Sequence, residues 1–558
     1  MAPVKPRPFP WPCGLCLVLL GLFLYLPALW NWPLSRSEAM YALIPKEMFE
    51  SGNWLTPTLN GVPYLDKPPL LYWLNLLFFA LWGVSDRAAR LATLALGLGE
   101  IGLTYLIGRR LLGERPAWLG GFVLLTAVGF FTLHLQILTD HLITLGLLAA
   151  VAVLVYAGDR PTWRGAVLFQ VALAVGFLSK GLIGLAFPLL ILALYAWFRR
   201  RAGLLTLALD LRGWVVFLLL TIPWFWAMEQ AYPGFLKHHL LNEQVLRFFG
   251  KRYPPDIIPF PLGGFWLFLF IWLLPWGLLL PESLYRFWRE TRAPEAARRG
   301  RLLLLWAAVI MGFFSLSASR IEYYSLPALP ALALIIGWRL EKSLETLRDR
   351  ALPLALLVLG FLGLALGVLL PFLEQLCAAN RREFFGMFPL LQPVARQVGL
   401  WVPLLAFGGA AAGWRRPAAA LTALGLLGLT LLLFTWKTLN VLSPLLSDQL
   451  PGECIRRHAG REDTVVMEAI EEFEYGSSLA FYSGRRILMV QRRGLPKFPY
   501  PVPPEENYLI TPEDLRRLWE ASGRVFVLID DVVPPPPFLE KGEVLMRLPG
   551  KRLISNRP

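Results

Sequence analysis

"SRSEAMYALIPKEMFESGNWLTPTLNGVPYLDKPPLLYW", residues 35–73, stands between two oily segments. A connection between membrane helices needs only a few residues. This one is long and carries acids, lysines, asparagines and prolines. From Glu38 to Glu50 it places Met40, Tyr41, Ile44, Met48 and Phe49 on one helical face, with Glu38, Lys46, Glu47 and Glu50 elsewhere. That pattern predicts a helix lying along a membrane surface. "PPLLYWLNLLFFALWG", residues 68–83, is apolar but short for a span and rich in headgroup-seeking aromatics, so it is expected to lie flat or re-enter. The intervening "GNWLTPTLNGVPYLDK", residues 52–67, is turn-rich, with Asn60 and the prolines shaping a loop over the outer mouth of a helix bundle.

The rest of the chain supplies that bundle. Of 558 residues, 56% are hydrophobic and only 17% charged, and the mean hydropathy is +0.53, which a soluble fold could not cover with polar surface. Apolar runs recur from Leu17 to Trp436, about thirteen of them at ~20 residues per span. The net charge of +15 is not a nucleic-acid signal, because many basic residues sit in short loops: Arg109, Arg110 and Arg115, then 199–201, 286–301, Arg415 and Arg416. With those loops in the cytoplasm, the opening stretch and everything beyond the last span fall outside. Lys5 and Arg7 precede an apolar run with no small-residue cleavage site, read as a retained first span. Cys13, Cys16, Cys377 and Cys454 are too scattered for a disulfide framework.

The expected fold is therefore a polytopic α-helical membrane protein with a small C-terminal α/β soluble domain. Residues 1–442 form the membrane part, with an outer loop at 32–86 holding interfacial helices, and 443–558 form the soluble tail. In the tail, "DTVVMEA", "RRILMV" and "RVFVLID" read as buried strands, and "TPEDLRRLWEASG" as a helix capped by Thr511 and stopped by Gly523. No nucleotide-binding glycine pattern or internal repeat of the transporter kind is visible.

A charge inside a membrane costs roughly 2.5–3.5 kcal/mol even on a lenient scale, so such residues need a reason. Asp140 in "LQILTDHLITLG" is placed about one turn inside an outer end, and Lys180 in "GFLSKGLIG" at one. Arg320, Glu322, Tyr323 and Tyr324 fill the outer turn "SASRIEYYSLPALP". Together with Glu38, Asp66 and Lys67, and with Arg247 from "KHHLLNEQVLRFFGKRY", they all map to one side. Such a cavity suits a substrate with a greasy tail and an anionic head: Lys and Arg bind phosphate, and a carboxylate orients or deprotonates an acceptor, or holds a metal. Plainer readings stand beside this: a solvated helix acid at Glu38, a local turn pair at Asp66 and Lys67, snorkelling at Lys180, Arg320 and Tyr324. His238 and His239 diverge by about 100° on a helix, and either could join a carboxylate around a divalent ion such as zinc; no other cofactor is implied.

The order "SEAMYALIPKEMFESGNWLTPTLNGVPYLDKPPLLYW", "TDHLITLGLL", "LSKGLIGLAFPLL", "EQVLRFF", "EYYSLPALPALA" resembles the bacterial lipid A aminoarabinose transferases and the related protein O-mannosyltransferases, members of the GT-C superfamily. The resemblance runs through roughly Leu334. It implies a multi-pass enzyme of the bacterial inner membrane that takes a sugar from a polyprenyl-phosphate carrier and passes it, with inversion, to a lipid A-like lipid or a protein. Site and tail would face the periplasm. It also implies catalytic roles for Glu38, Asp66 and Asp140. The match also puts Lys180 at the family's Ser/Thr-Lys-Gly lysine; on the residues' own chemistry, Tyr41, Lys67, Lys180, Arg247, Arg320, Tyr323 and Tyr324 are expected to contact substrate, and a Zn, Mg or Mn ion to sit at His238 and His239. The family's first loop usually opens with Asp-Glu, whereas Ser37-Glu38 stands here. Serine cannot act as a carboxylate base, which leans slightly toward an already acidic acceptor, equally permits a dead homologue, and leaves Glu38 or Asp66 to take over the role. A glycolipid transporter and a catalytically silent glycolipid binder are the competing readings.

Overall fold

The computed structural model describes residues 14–557 apart from 31, 159, 254–259, 293–299, 347–348, 379–386, 470–472, 492–506 and 531–534. Lys5, Arg7, Cys13, the Cys377 side chain and the middle of the basic 286–301 loop lie outside the described residues. Six described helices are long and apolar enough to cross a membrane, or up to eight if each of two bent pairs is one span. The expected thirteen apolar runs divide differently because some are broken. Glu114–Thr126 bends by 60° into Val128–His134, and Leu262–Trp272 by 108° into Trp276–Glu290, while Leu15–Trp30, Ile183–Arg199 and Arg301–Leu316 are short.

Local chemistry fixes the elements that carry the polar residues. Asp140 is the first residue of the helix Asp140–Ala157, and Lys180 the last of Trp163–Lys180. The two helices pack together, so a carboxylate at one N-terminus meets an ammonium at a C-terminus, each at the pole of the helix dipole that favours it. Asp140 thus begins its helix rather than lying one turn inside it. Beyond Lys180 the chain reverses at Gly181, whose φ of +82° favours glycine. The next helix then crosses so closely that a Cβ on Gly184 would sit 2.1 Å from the carbonyl carbon of Gly176.

The opening loop contains the helices Arg36–Ser51 and Leu70–Trp82, joined through a hairpin of Thr58–Leu59 and Val62–Pro63. Asn60 and Gly61 take φ of 55° and 81°, the positive values that an Asn-Gly two-residue turn requires. The Arg36–Ser51 helix is not simply laid on a surface. It buries Ala39, Tyr41, Ala42, Leu43, Ile44 and Met48, because Leu70–Trp82 packs on one side and the tail helix Ser477–Ser483 on another. Leu70–Trp82 itself is two-faced: Leu71, Tyr72, Leu76 and Phe79 are buried, and Leu77, Leu81 and Trp82 exposed.

The tail forms a six-stranded mixed sheet in the order Leu509–Ile510, Ile487–Gln491, Thr464–Ala469, Val525–Asp530, Lys551–Ser555, Glu543–Leu548. The first four strands are parallel and the last two antiparallel. The three central strands match the sequence expectation; the other three are short or charged and carry no clear pattern. Thr511 caps the helix Pro512–Glu520 by accepting from Asp514 N at 3.1 Å. The helix ends at Ala521, before Gly523, because the chain is already extended there.

The tail is docked on the opening loop through specific bonds. Arg36 makes two 2.9 Å bonds to Asp448, which Lys551 also meets at 2.7 Å. The Asn60 side chain pairs with Ile487 at both ends of its amide, donating to O at 2.7 Å and accepting from N at 2.9 Å. Lys46 donates to Phe481 O at 3.1 Å.

Candidate active site

Several of the expected polar residues gather around one open cavity of about 290 Å³. Lys67, Lys180, Glu243, Arg247 and Tyr324 line its polar part, and Phe248, Phe249, Phe313 and Phe314 its apolar part. The segment Lys237–Leu246 is wound as a π-helix. Bonding from i to i+5 widens each turn to about 4.4 residues. That brings His238 and Glu243, five residues apart, toward one face, where an α-helix would separate them.

Asp66 stands at the centre of this group. It bonds His238 Nε2 at 2.8 Å and Arg252 Nη2 at 3.2 Å and is almost fully buried. Burial alone would raise its pKa, yet the bond to His238 and the charges of Lys67 and Arg252 hold it well below the usual carboxylate range. Glu243 accepts from Arg252 Nε and from Arg247 at 3.3 Å, with Lys67 Nζ 3.7 Å away. Three cations, Lys67, Arg247 and Arg252, thus surround two carboxylates and leave one positive charge over. Burial pushes the Lys67 ammonium below its ordinary pKa, with Glu243 opposing. Beside them, Lys180 Nζ bonds both oxygens of Asp140 at 2.8 Å and lies 4.4 Å over the ring of Tyr324.

The structure places the expected residues unequally. Lys67, Lys180, Arg247 and Tyr324 line the cavity. Tyr41 is buried and Tyr323 half-buried, both within electrostatic reach of Asp140, and burial raises both phenols. Asp66 and Asp140 stand behind the lining, bonded to cations that form or support it. Glu38 is brought to neither position. Its carboxylate accepts from Ser35 N at 2.9 Å, Arg90 Nη2 at 2.6 Å and Ile137 N at 3.0 Å, with no exposure. This is an anchor between segments, not a carboxylate open to substrate. Arg320 spends its guanidinium on the carbonyls of Phe314, Phe260 and Ser317, so it shapes its loop instead of facing the cavity. Of the two histidines, His238 joins Asp66 and Glu243 in a group whose candidate ligand atoms lie within 4.8 Å of one another. His239 stacks on Phe235 at 5.6 Å and is held neutral, its pKa lowered by burial to about 3.

Sequence reasoning did not single out Glu243, Arg252 or Arg90. Glu243 had a signal, since it lies four residues before Arg247 in the polar stretch that supplies the site. Arg252 had only its place in the same stretch. Arg90 had none beyond being a cation in an apolar helix.

Residues 66–226 match the family described as dolichyl-phosphate-mannose-protein mannosyltransferase. The undecaprenyl phosphate-alpha-4-amino-4-deoxy-L-arabinose arabinosyl transferase 1 of Pseudomonas fluorescens Pf-5 is 30% identical over 63% of this chain and 64% of its own length. The match thus spans just under two thirds of that relative. The corresponding transferase of Pseudomonas paraeruginosa is 28% identical over 92% of each chain. In structure, ArnT from Cupriavidus metallidurans bound to undecaprenyl phosphate superposes with a TM-score of 0.78 over 97% of both chains, at 23% identity. Along most of its length in sequence, and in the arrangement of helices and tail, the chain is similar to the bacterial aminoarabinose transferases.

Proposed function

We propose that this protein transfers a sugar from a polyprenyl-phosphate carrier to a lipid A-like acceptor, with inversion at the sugar carbon. The carrier would be undecaprenyl phosphate and the sugar an aminoarabinose, as the relatives' names suggest. One observation carries the reading: a single cavity whose polar part holds Lys67, Lys180 and Arg247 and whose apolar part is phenylalanine, the two halves of a lipid phosphate. The reading sets the bundle as about thirteen spans in the bacterial inner membrane, with cavity and tail on the periplasmic side.

In the transfer, an acceptor oxygen forms a bond to the sugar's anomeric carbon as the bond from that carbon to the carrier phosphate breaks. The electron pair leaves with the phosphate. Lys67, Lys180 and Arg247 stabilise that developing charge, Arg through its planar fork and the lysines as point charges. If the acceptor is itself a phosphate, the nucleophile is already anionic and needs no base, which suits the serine at position 37. If it is a hydroxyl, its proton goes to Glu243, the one carboxylate among the described lining residues. Asp66 and Asp140 act as positioning residues that hold the cations in place. Asp66, His238 and Glu243 also offer a donor set that fits a divalent ion, which when bound would add positive charge beside the leaving phosphate.

The test is sugar transfer by the purified protein in detergent, from undecaprenyl phosphate-linked aminoarabinose to lipid A and to peptide. Lys67→Ala and Lys180→Ala should each lower transfer by roughly 10²–10³, the usual size for removing a preorganised charge-stabilising donor. Tight donor binding without transfer to any acceptor would replace this reading by a silent glycolipid binder, which Ser37 also permits.

A further inference from the structure

A second cluster of ionisable side chains lies inside the bundle, apart from the cavity. Glu100 on the helix Asp86–Leu112, His134 at the end of Val128–His134 and His141 in the first turn of Asp140–Ala157 have no exposed surface. His134 Nε2 is 3.3 Å and His141 Nδ1 3.9 Å from the same Glu100 oxygen. Both Glu100 oxygens and both of these ring nitrogens lack a hydrogen-bond partner among the described residues.

Their outward atoms define what the inward ones can do. His134 Nδ1 is 2.7 Å from Phe130 O. His141 Nε2 is 3.1 Å and 3.2 Å from the carbonyls of Leu133 and Gln136. A carbonyl only accepts, so those nitrogens carry the ring protons, and in the neutral imidazoles the lone pairs of Nε2 and Nδ1 turn inward. Two imidazole lone pairs and a carboxylate converge with no donor between them. One added proton satisfies one of these contacts; a metal ion satisfies all three. The position is also made to measure: Gly97, one turn before Glu100, leaves the space where a Cβ would meet His134 Cδ2 at 2.6 Å.

We propose that Glu100, His134 and His141 bind a transition-metal ion of the zinc class as a structural site. Two imidazoles and a carboxylate are a zinc donor set, and bonds of ~2.0–2.1 Å imply ligand spacings of roughly 3.3–3.5 Å, against 3.3 and 3.9 Å here. Ring N–H groups donated outward to backbone carbonyls are what orient metal-bound histidines. The ion joins three helices around residues 135–139, the segment that donates Ile137 N to Glu38 and leads into Asp140. It clamps the floor of the site without touching substrate, and it is separate from the Asp66, His238 and Glu243 group.

The experiment is metal content and zinc K-edge absorption on the full chain purified in detergent and loaded with zinc, in the wild type and in Asp66→Asn, which disables the mouth group. We expect Asp66→Asn to keep about one zinc per chain with two imidazoles in its coordination shell. His134→Gln in that background should lose the zinc while eluting as a folded protein, with His141→Gln as the second variant should the first not fold. An Asp66→Asn protein that is folded yet binds no zinc, or zinc bearing a single imidazole, overturns the proposal and leaves a carboxylic acid sharing its proton with a histidine. Chelation of the Asp66→Asn protein should lower its melting temperature; unchanged melting with the zinc removed overturns the clamp.

Discussion

Glu38 and Asp66 begin as equals: two carboxylates in one loop, both buried, both beside arginine. Their surroundings differ in what is left over. Around Glu38, two backbone N–H groups, the Ser35 hydroxyl and one guanidinium use up the carboxylate, which does not line the cavity. Around Asp66, the partners outnumber the acids, and the surplus cations reach the wall. A saturated carboxylate fastens the fold, whereas an over-partnered one sets the charge of a binding surface.

The largest effect that would break this contrast concerns transfer. Lys180→Ala should cost roughly 10²–10³ in kcat/KM, and Asp140→Asn less, because lysine remains but is no longer fixed; equal losses would make Asp140 a direct participant. Next comes stability. Glu38→Gln or Arg90→Ala should each cost about 3–5 kcal/mol, the size for stranding one partner of a buried pair, seen as a lower melting temperature and folded yield. A Glu38→Gln protein that melts normally but fails to transfer sugar would return Glu38 to the chemistry. A smaller effect is expected of Asn60→Ala: about 1–3 kcal/mol for leaving the Ile487 backbone groups unsatisfied, read as faster proteolysis of the tail.

The contrast sharpens with pH. The folded pKa of Asp66 is depressed below its unfolded value. Its contribution is therefore complete above the unfolded pKa of about 3.9 and lost as pH falls through the lower folded value. Melting below pH ~4 should fall less steeply in Asp66→Asn than in the wild type. The residual slope belongs to groups such as Asp448, also depressed against its burial by Arg36 and Lys551. Smallest of all, Ser37→Ala should change stability by no more than ~0.5 kcal/mol and leave transfer intact, since among the described residues Ser37 Oγ has only a 3.3 Å contact with Ser35 Oγ.

Much of this was legible in the sequence for a physical reason. Period and polarity mark helices and strands, so the Arg36–Ser51 helix, the central tail strands and the one-sided gathering of Asp66, Lys67, Asp140, Lys180 and Arg247 could be read in advance. The gathering followed from topology, as alternate helix ends share a side. Partner choice did not follow, because Arg90 meets Glu38 across 52 residues and no local pattern records that. The π turn at Lys237–Leu246 was also hidden: its residues suit an α-helix equally well, and only the tertiary demand on His238 and Glu243 distinguishes the two. Bent helices escaped for the opposite reason, since hydropathy is blind to a change of direction.

Only Tyr64 and Leu65 separate the hairpin that ends in Val62–Pro63 from Asp66, and its tip is gripped by the first residue of the strand Ile487–Gln491. The tail and the charged mouth are therefore mechanically in series. A displacement of that strand by a few tenths of an ångström has a short, stiff path to the residue that holds Arg252 and His238 in place, so whatever lands on the tail acts on the charged mouth.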